Sequence, residues 1–133
     1  MNRIQLTDLI KAAAIDIGFS KVGVTDAAPF DEAADRLNSW VASGAHGLMG
    51  YMERNHDKRR DVKNIFPAAR SILALATNYY HPEATPQEPN LKISRYAWGD
   101  DYHDVIGMML EDLLSQIKQI IPEAEGKYYV DTG

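Results

Sequence analysis

The chain has 133 residues, a formal net charge of −5 and no cysteine. That length suits one domain able to bury roughly two-thirds of the surface its unfolded form exposes, and no apolar run approaches the ~20 residues that cross a bilayer. Without cysteine, disulfides, thiolate catalysis, cysteine-ligated zinc and cysteine-held iron-sulfur clusters are excluded within these residues, so redox chemistry here needs a borrowed cofactor. The acidic balance argues against a generally cationic nucleic-acid surface and leaves a local basic patch open.

In chain order, Leu6, Leu9, Ile10, Ala13, Ala14 and Ile17 recur at helical spacing. They predict a first helix on one buried face, with Thr7 as a candidate N-cap and Gly18 as its stop. This amphipathic start lacks the uninterrupted apolar core of a signal peptide, so the cytoplasm is the expected compartment. Residues 19–25 read as a strand and 26–29 as the turn leaving it. Residues 31–43 suit a second helix with Phe30, Ala34, Leu37 and Val41 on or near its buried side, and Gly44, Gly47 and Gly50 interrupt the chain beyond it. The continuous apolar run over 71–79 predicts a strand buried on both faces and central in its sheet, ending in the Pro-rich stretch 81–89. A long helix begins after Asp100, runs to about Ile121 and is stopped by Pro122; residues 127–130 resemble the start of another strand. The alternation predicts an α/β class, a layered sheet with flanking helices and no repeats.

Four groups of residues are candidates for chemistry. The charged run 53–60 fits either a solvated turn or a phosphate-holding patch built on Lys58, Arg59 and Arg60. His46, His56, His81 and His103 lack the i, i+4 spacing of a helical zinc pair and read as surface or capping residues. The glycines of 44–50 lack the Gly-Lys-Ser/Thr ending of a phosphate loop and read as a turn needing positive φ. Asp100-Asp101 is explained as a helix N-cap. A cap requires none of Arg95, Tyr96, Trp98, Tyr102 and His103, and aromatic faces gathered at a helix entrance can instead surround a flat cofactor or base.

Met49-Gly50-Tyr51-Met52, Arg59-Arg60-Asp61, the FPAARSI of 66–72, the SRYAWGDDYH of 94–103 and the closing Val130-Asp131-Thr132-Gly133 occur in this order. The chain thereby resembles the N-terminal region of the epoxyqueuosine reductases over essentially its whole length. The SRYAWGDDYH and VDTG blocks are the specific parts of the likeness.

The resemblance implies a cobalamin-dependent reductase that removes the epoxide oxygen of epoxyqueuosine in tRNA. It further implies that residues 1–133 form the N-terminal, cobalamin-binding-type domain of a longer protein, a fragment ending before the segment that completes the cobalamin site, a ferredoxin-like module with two [4Fe-4S] clusters and often a helical-repeat tail. The lack of cysteine is then accounted for, and the fragment alone is not expected to turn over. Asp131 matches the family's proposed proton donor; Ser94, Arg95, Tyr96, Trp98, Asp101, Tyr102 and His103 match the block lining its cofactor and substrate cleft. Some members carry cysteine where this chain has Ser94, and serine is a poor acid, so Asp131 bears more of the role. The expected partner is tRNA carrying epoxyqueuosine, with no membrane involved; oligomeric state stays open, a monomer being the default. Two rival readings are a non-enzymatic cobalamin-binding or trafficking domain, which uses the same aromatic block without an acid, and a tRNA-binding module using Lys58, Arg59 and Arg60.

Overall fold

A computed structural model describes residues 2–80 and 93–131. The Pro-rich stretch 81–89, with His81, lies outside the described residues, as do Thr132 and Gly133 of the closing motif. Described elements run α1 (Arg3–Ile17), β1 (Lys21–Asp26), α2 (Asp31–Ala42), α3 (His56–Arg60), β2 (Ser71–Ala76) and α4 (Tyr102–Ile120), with short 3-10 turns between some of them. The class is the expected mixed α/β one. The chain divides into two compact units, one made of residues 1–23 and 73–133 and the other of residues 24–72.

In the first unit, α1 begins at Asn2 rather than Thr7. Asn2 Oδ1 accepts from the Gln5 backbone N–H at 2.9 Å while Gln5 Oε1 accepts from the Asn2 N–H at 3.0 Å, a reciprocal capping box. Thr7 lies inside the helix and its hydroxyl donates to the Arg3 carbonyl. Gly18 ends α1 with φ at 120°, a conformation that spares glycine the Cβ penalty, and its N–H closes onto the last carbonyls of the helix. The core is Ala14, Phe19, Leu110 and Leu113, so α1 packs on α4. Ile106, Met109 and Ile117 extend the α4 stripe at helical spacing, and Leu73 and Leu75 of β2 join it. Leu9, expected inward, is exposed, as are Ile4 and Ile15.

The expectation of a central, doubly buried β2 is overturned. Leu73 and Leu75 turn toward the core while Ala74 between them is exposed, the alternation of a strand buried on one face only. Among the described residues the sheet has two strands, β1 and β2. Ser20 N–H bonds the Ala76 carbonyl at 2.8 Å and Ala27 N–H the Arg70 carbonyl at 3.2 Å, so as β1 advances its partner retreats and the pair is antiparallel. Residues 127–130 form no strand: their apolar character serves packing, with Val130 against the core.

The second unit is organised around α2. Its buried residues are Ala27, Ala34 and His46, whereas Phe30, expected inward, is exposed at the helix N-cap position. Gly44 and Gly47 adopt φ of 74° and 56°, the positive values expected of this turn. His46 is not a surface residue but is 9% exposed. Its Nε2 sits 2.6 Å from Glu53 Oε1 and its ring stands edge-on to Trp40, while its buried Nδ1 has no hydrogen-bond partner among the described residues. His56 links α3 to Asn38 through Nδ1 and to the Met52 carbonyl through Nε2.

Candidate functional site

The entrance of α4 gathers the candidate chemistry within the first unit. Ser94 precedes a 3-10 turn, Arg95–Ala97, without offering a side-chain cap, and Trp98 Nε1–H donates to the Ile93 carbonyl at 3.1 Å. Asp101 caps α4 as expected. One oxygen, Oδ1, accepts the His103 backbone N–H at 2.9 Å and faces His103 Nδ1 at 2.8 Å. The His103 backbone hydrogen bond, with help from the imidazole, holds the Asp101 carboxyl below the usual carboxylate range.

Asp131 reaches the same place from 29 residues further along the chain: Tyr102 O–H donates to Asp131 Oδ2 at 2.5 Å. His103 Nε2 lies 3.5 Å from that oxygen, too far for a good hydrogen bond but close enough for an ion pair. Asp131 has φ of 55°, in the left-handed region that aspartate tolerates better than most residues. Its side chain is 57% exposed. Both donors face Oδ2, and Oδ1 takes no hydrogen bond among the described residues. Hydrogen bonding to Asp131 pushes the Tyr102 phenol up to about 12, so Tyr102 stays a donor throughout the physiological range.

Aromatic rings continue outward from this carboxylate. Tyr102 stacks on His103 with centroids 4.0 Å apart and meets Tyr96 edge-on at 6.0 Å; Tyr96 in turn meets Tyr79 edge-on at 6.5 Å. The Arg95 guanidinium lies 4.6 Å from the Tyr80 ring centroid and 5.6 Å from that of Trp98, within cation–π range. Tyr79, Tyr80 and Tyr96 are all exposed. The structure thus joins Tyr96, Asp101, Tyr102, His103 and Asp131 through linked contacts and sets Arg95 against Trp98 and Tyr80 in a second group, while Ser94 caps the turn before them without a side-chain hydrogen bond to it. Tyr79 and Tyr80 were not among the expected residues; adjacent tyrosines just past a strand are the sequence signal that points to them.

The basic candidates lie in the second unit. Lys58 is exposed on α3, and Arg59 Nε donates weakly to the Arg54 carbonyl at 3.4 Å. Arg60 is committed elsewhere: NH2 bonds Asp35, and Nε lies 3.3 Å from Asp31 without aligning as a hydrogen bond.

A half-exposed carboxylate held by a phenol thus lies beside a run of open aromatic faces in a mixed α/β fold. Residues 59–132 match the family described as Epoxyqueuosine reductase QueG, DUF1730, and the chain belongs to that family. The epoxyqueuosine reductase of Cellulophaga algicola is 41% identical over 126 residues, covering 95% of this chain and 41% of its own length. A crystal structure of epoxyqueuosine reductase with an epoxyqueuosine-modified tRNA-Tyr stem loop matches with a TM-score of 0.82 and 33% identity, over 99% of this chain and 36% of that one. The Bacillus subtilis enzyme, solved with its aspartate-bearing catalytic loop swung out of the active site, matches with a TM-score of 0.76 and 32% identity, over 92% of this chain and 34% of that one. The chain therefore spans well under half the length of these relatives.

Proposed function

We propose that residues 1–133 form the N-terminal domain of a cytoplasmic, cobalamin-dependent reductase that converts epoxyqueuosine to queuosine in tRNA, with Asp131 as proton donor. The observation that carries this reading is the Tyr102–Asp131 hydrogen bond of 2.5 Å beside the open tyrosine faces. The epoxyqueuosine reductase relatives support the substrate, and the stem-loop complex of one of them supports tRNA as partner. The aspartate-bearing catalytic loop of another supports the kind of residue chosen.

The residues present fit cobalamin: Tyr79, Tyr80 and Tyr96 offer exposed ring faces, and Arg95 and Ser94 offer polar hydrogens to a flat macrocycle fringed with amides. When bound, cobalamin supplies the strongly reducing centre that these side chains lack. Any [4Fe-4S] clusters that feed it are held outside this chain, which has no cysteine.

Turning an epoxide into an alkene breaks both carbon–oxygen bonds and releases the oxygen as water, consuming two electrons and two protons. Asp131 Oδ1 is the oxygen open to the substrate and gives its proton to the departing oxygen. Tyr102 holds Oδ2 and stabilises the carboxylate left behind. Lys58 and Arg59 are offered to RNA phosphates; Arg60, paired with Asp31 and Asp35, contributes mainly by holding α3 in place.

In the complete reductase, Asp131→Asn keeps the side chain's shape and removes the transferable proton. Turnover of epoxyqueuosine-containing tRNA, measured as queuosine by mass spectrometry at matched cobalamin occupancy, should fall on the order of 100-fold or more. Near-normal product from the variant sinks the assignment of Asp131 as the acid.

A further inference from the structure

The reaction takes two protons and Asp131 carries one, so within each turnover the carboxylate must be reloaded or a second donor must act. We infer that His103 reloads Asp131: it is a positioning residue that relays a proton from solvent to Oδ2, with Asp101 holding its ring in register. The inference rests on the reading of Asp131 as proton donor.

Four features place the imidazole for this task. Nδ1 is fixed 2.8 Å from Asp101 Oδ1, an atom itself locked by the helix cap at 2.9 Å. With Nδ1 bearing its hydrogen toward Asp101, Nε2 is the nitrogen that gains and loses the mobile proton, and it is Nε2 that looks at Asp131 Oδ2, 3.5 Å away. Tyr102 stacks on the ring with an interplanar angle of 28°, which limits its rotation. The His103 side chain is 53% exposed, so solvent can return the proton.

The groups facing His103 are Asp101 from the cap, Tyr102 from α4 itself and Asp131 from the C-terminal segment; Tyr96 reaches it only through Tyr102. Tyr102 is poorly suited to be the relay, because Asp131 holds the phenol proton up to about 12. The step balances. Imidazolium Nε2–H passes its proton to Asp131 Oδ2 as the ring closes the gap, leaving neutral imidazole in the Nδ1–H form that Asp101 favours, and rotation of the carboxyl group about its Cβ–Cγ bond turns the protonated oxygen toward substrate. A proton from water then restores the imidazolium.

The test uses the complete reductase and compares Asp131→Asn, His103→Ala and His103→Gln at matched cobalamin and tRNA occupancy. His103→Ala should lower kcat on the order of 100-fold with KM for tRNA unchanged. The pH dependence of its kcat should also be flattened relative to the native enzyme, since the group that exchanges the proton is gone. Added imidazole should restore much of the rate, and His103→Gln should resemble His103→Ala, since an amide hydrogen-bonds but carries no proton.

Failure of imidazole to rescue, a pH profile unaltered in His103→Ala, or recovery by glutamine overturns the relay and leaves a structural role. Loss of cobalamin from His103→Ala also overturns it, by making the ring a cofactor contact. The Asp131→Asn measurement separates the two readings: normal turnover there removes the acid itself, whereas a large loss combined with an unaltered pH profile in His103→Ala removes only the relay.

Discussion

The two units hold themselves together by different physics. In the first, Phe19 and Leu113 are each only 3% exposed, and α1, α4 and β2 interlock around them. In the second, the buried residues are two alanines and a histidine, and polar links converge on α2. Arg60 pairs with Asp31 and Asp35, and His56 bonds Asn38. The proposed chemistry sits with the apolar core. Tyr102 and His103 open the helix whose later turns supply Leu110 and Leu113, so exposed reactive groups are held by buried aliphatic ones in the same element. The first unit should therefore respond to lost volume, and the second to lost charge.

The sharpest way to break this comparison is Leu113→Ala. Removing a buried leucine costs about 2 to 5 kcal/mol through lost transfer energy and the cavity left behind. Denaturant unfolding should record a lowered midpoint at an unchanged slope. A loss below about 1 kcal/mol, the scale of a single surface ion pair, would mean the first unit has no well-packed core to lose.

Much of this organisation is legible in residue pattern, because periodicity and caps act locally. Gly18 stops α1, Asp101 caps α4, and Gly44 and Gly47 take positive φ for reasons contained in a few neighbouring residues. Thr7 is ambiguous in sequence because a hydroxyl at that spacing has two local partners available, an N-cap amide or an i−4 carbonyl, and Asn2 and Gln5 already close the helix end. The continuous apolar run of β2 suggests burial on both faces, yet alanine is small enough to be left exposed at low cost, and Ala74 is exposed. The pattern at 127–130 has strand character, yet these residues form no strand and Val130 packs against the core.

The site is legible as a set of residues and not as an arrangement. Nothing local to Tyr102 announces that its hydroxyl meets Asp131, 29 residues away. Likewise, His46 becomes a buried residue only because Trp40 and Glu53 converge on it.

Arg60→Ala sharpens the same comparison from the other side. The Arg60 side chain is 41% exposed, and partly exposed ion pairs typically contribute about 1 kcal/mol or less, screened further by salt. The variant should lower stability by no more than that, and the gap from the native chain should narrow as salt is raised in denaturant titrations. A loss rivalling that of Leu113→Ala would show that the second unit depends on this pairing far more than its exposure suggests.

The smallest effect is confined to alkaline pH and belongs to Tyr102. In the folded chain the phenolate is disfavoured next to Asp131, which lifts the phenol from 10.0 to about 12; the unfolded chain thus gives up this proton first. The corresponding stability is fully present below about pH 10 and drains away as pH rises through about 12. Tyrosinate absorbance should contain a late-ionising component that vanishes in Tyr102→Phe and moves to lower pH in Asp131→Asn, since the amide still accepts the hydrogen bond but lacks the charge that resists phenolate. Stability measured across the same range should fall more steeply for the native chain than for Asp131→Asn. An unchanged absorbance profile in both variants would mean that Tyr102 and Asp131 are not joined in solution, removing the phenol that holds Oδ2 and weakening the case for Oδ1 as the oxygen turned toward substrate.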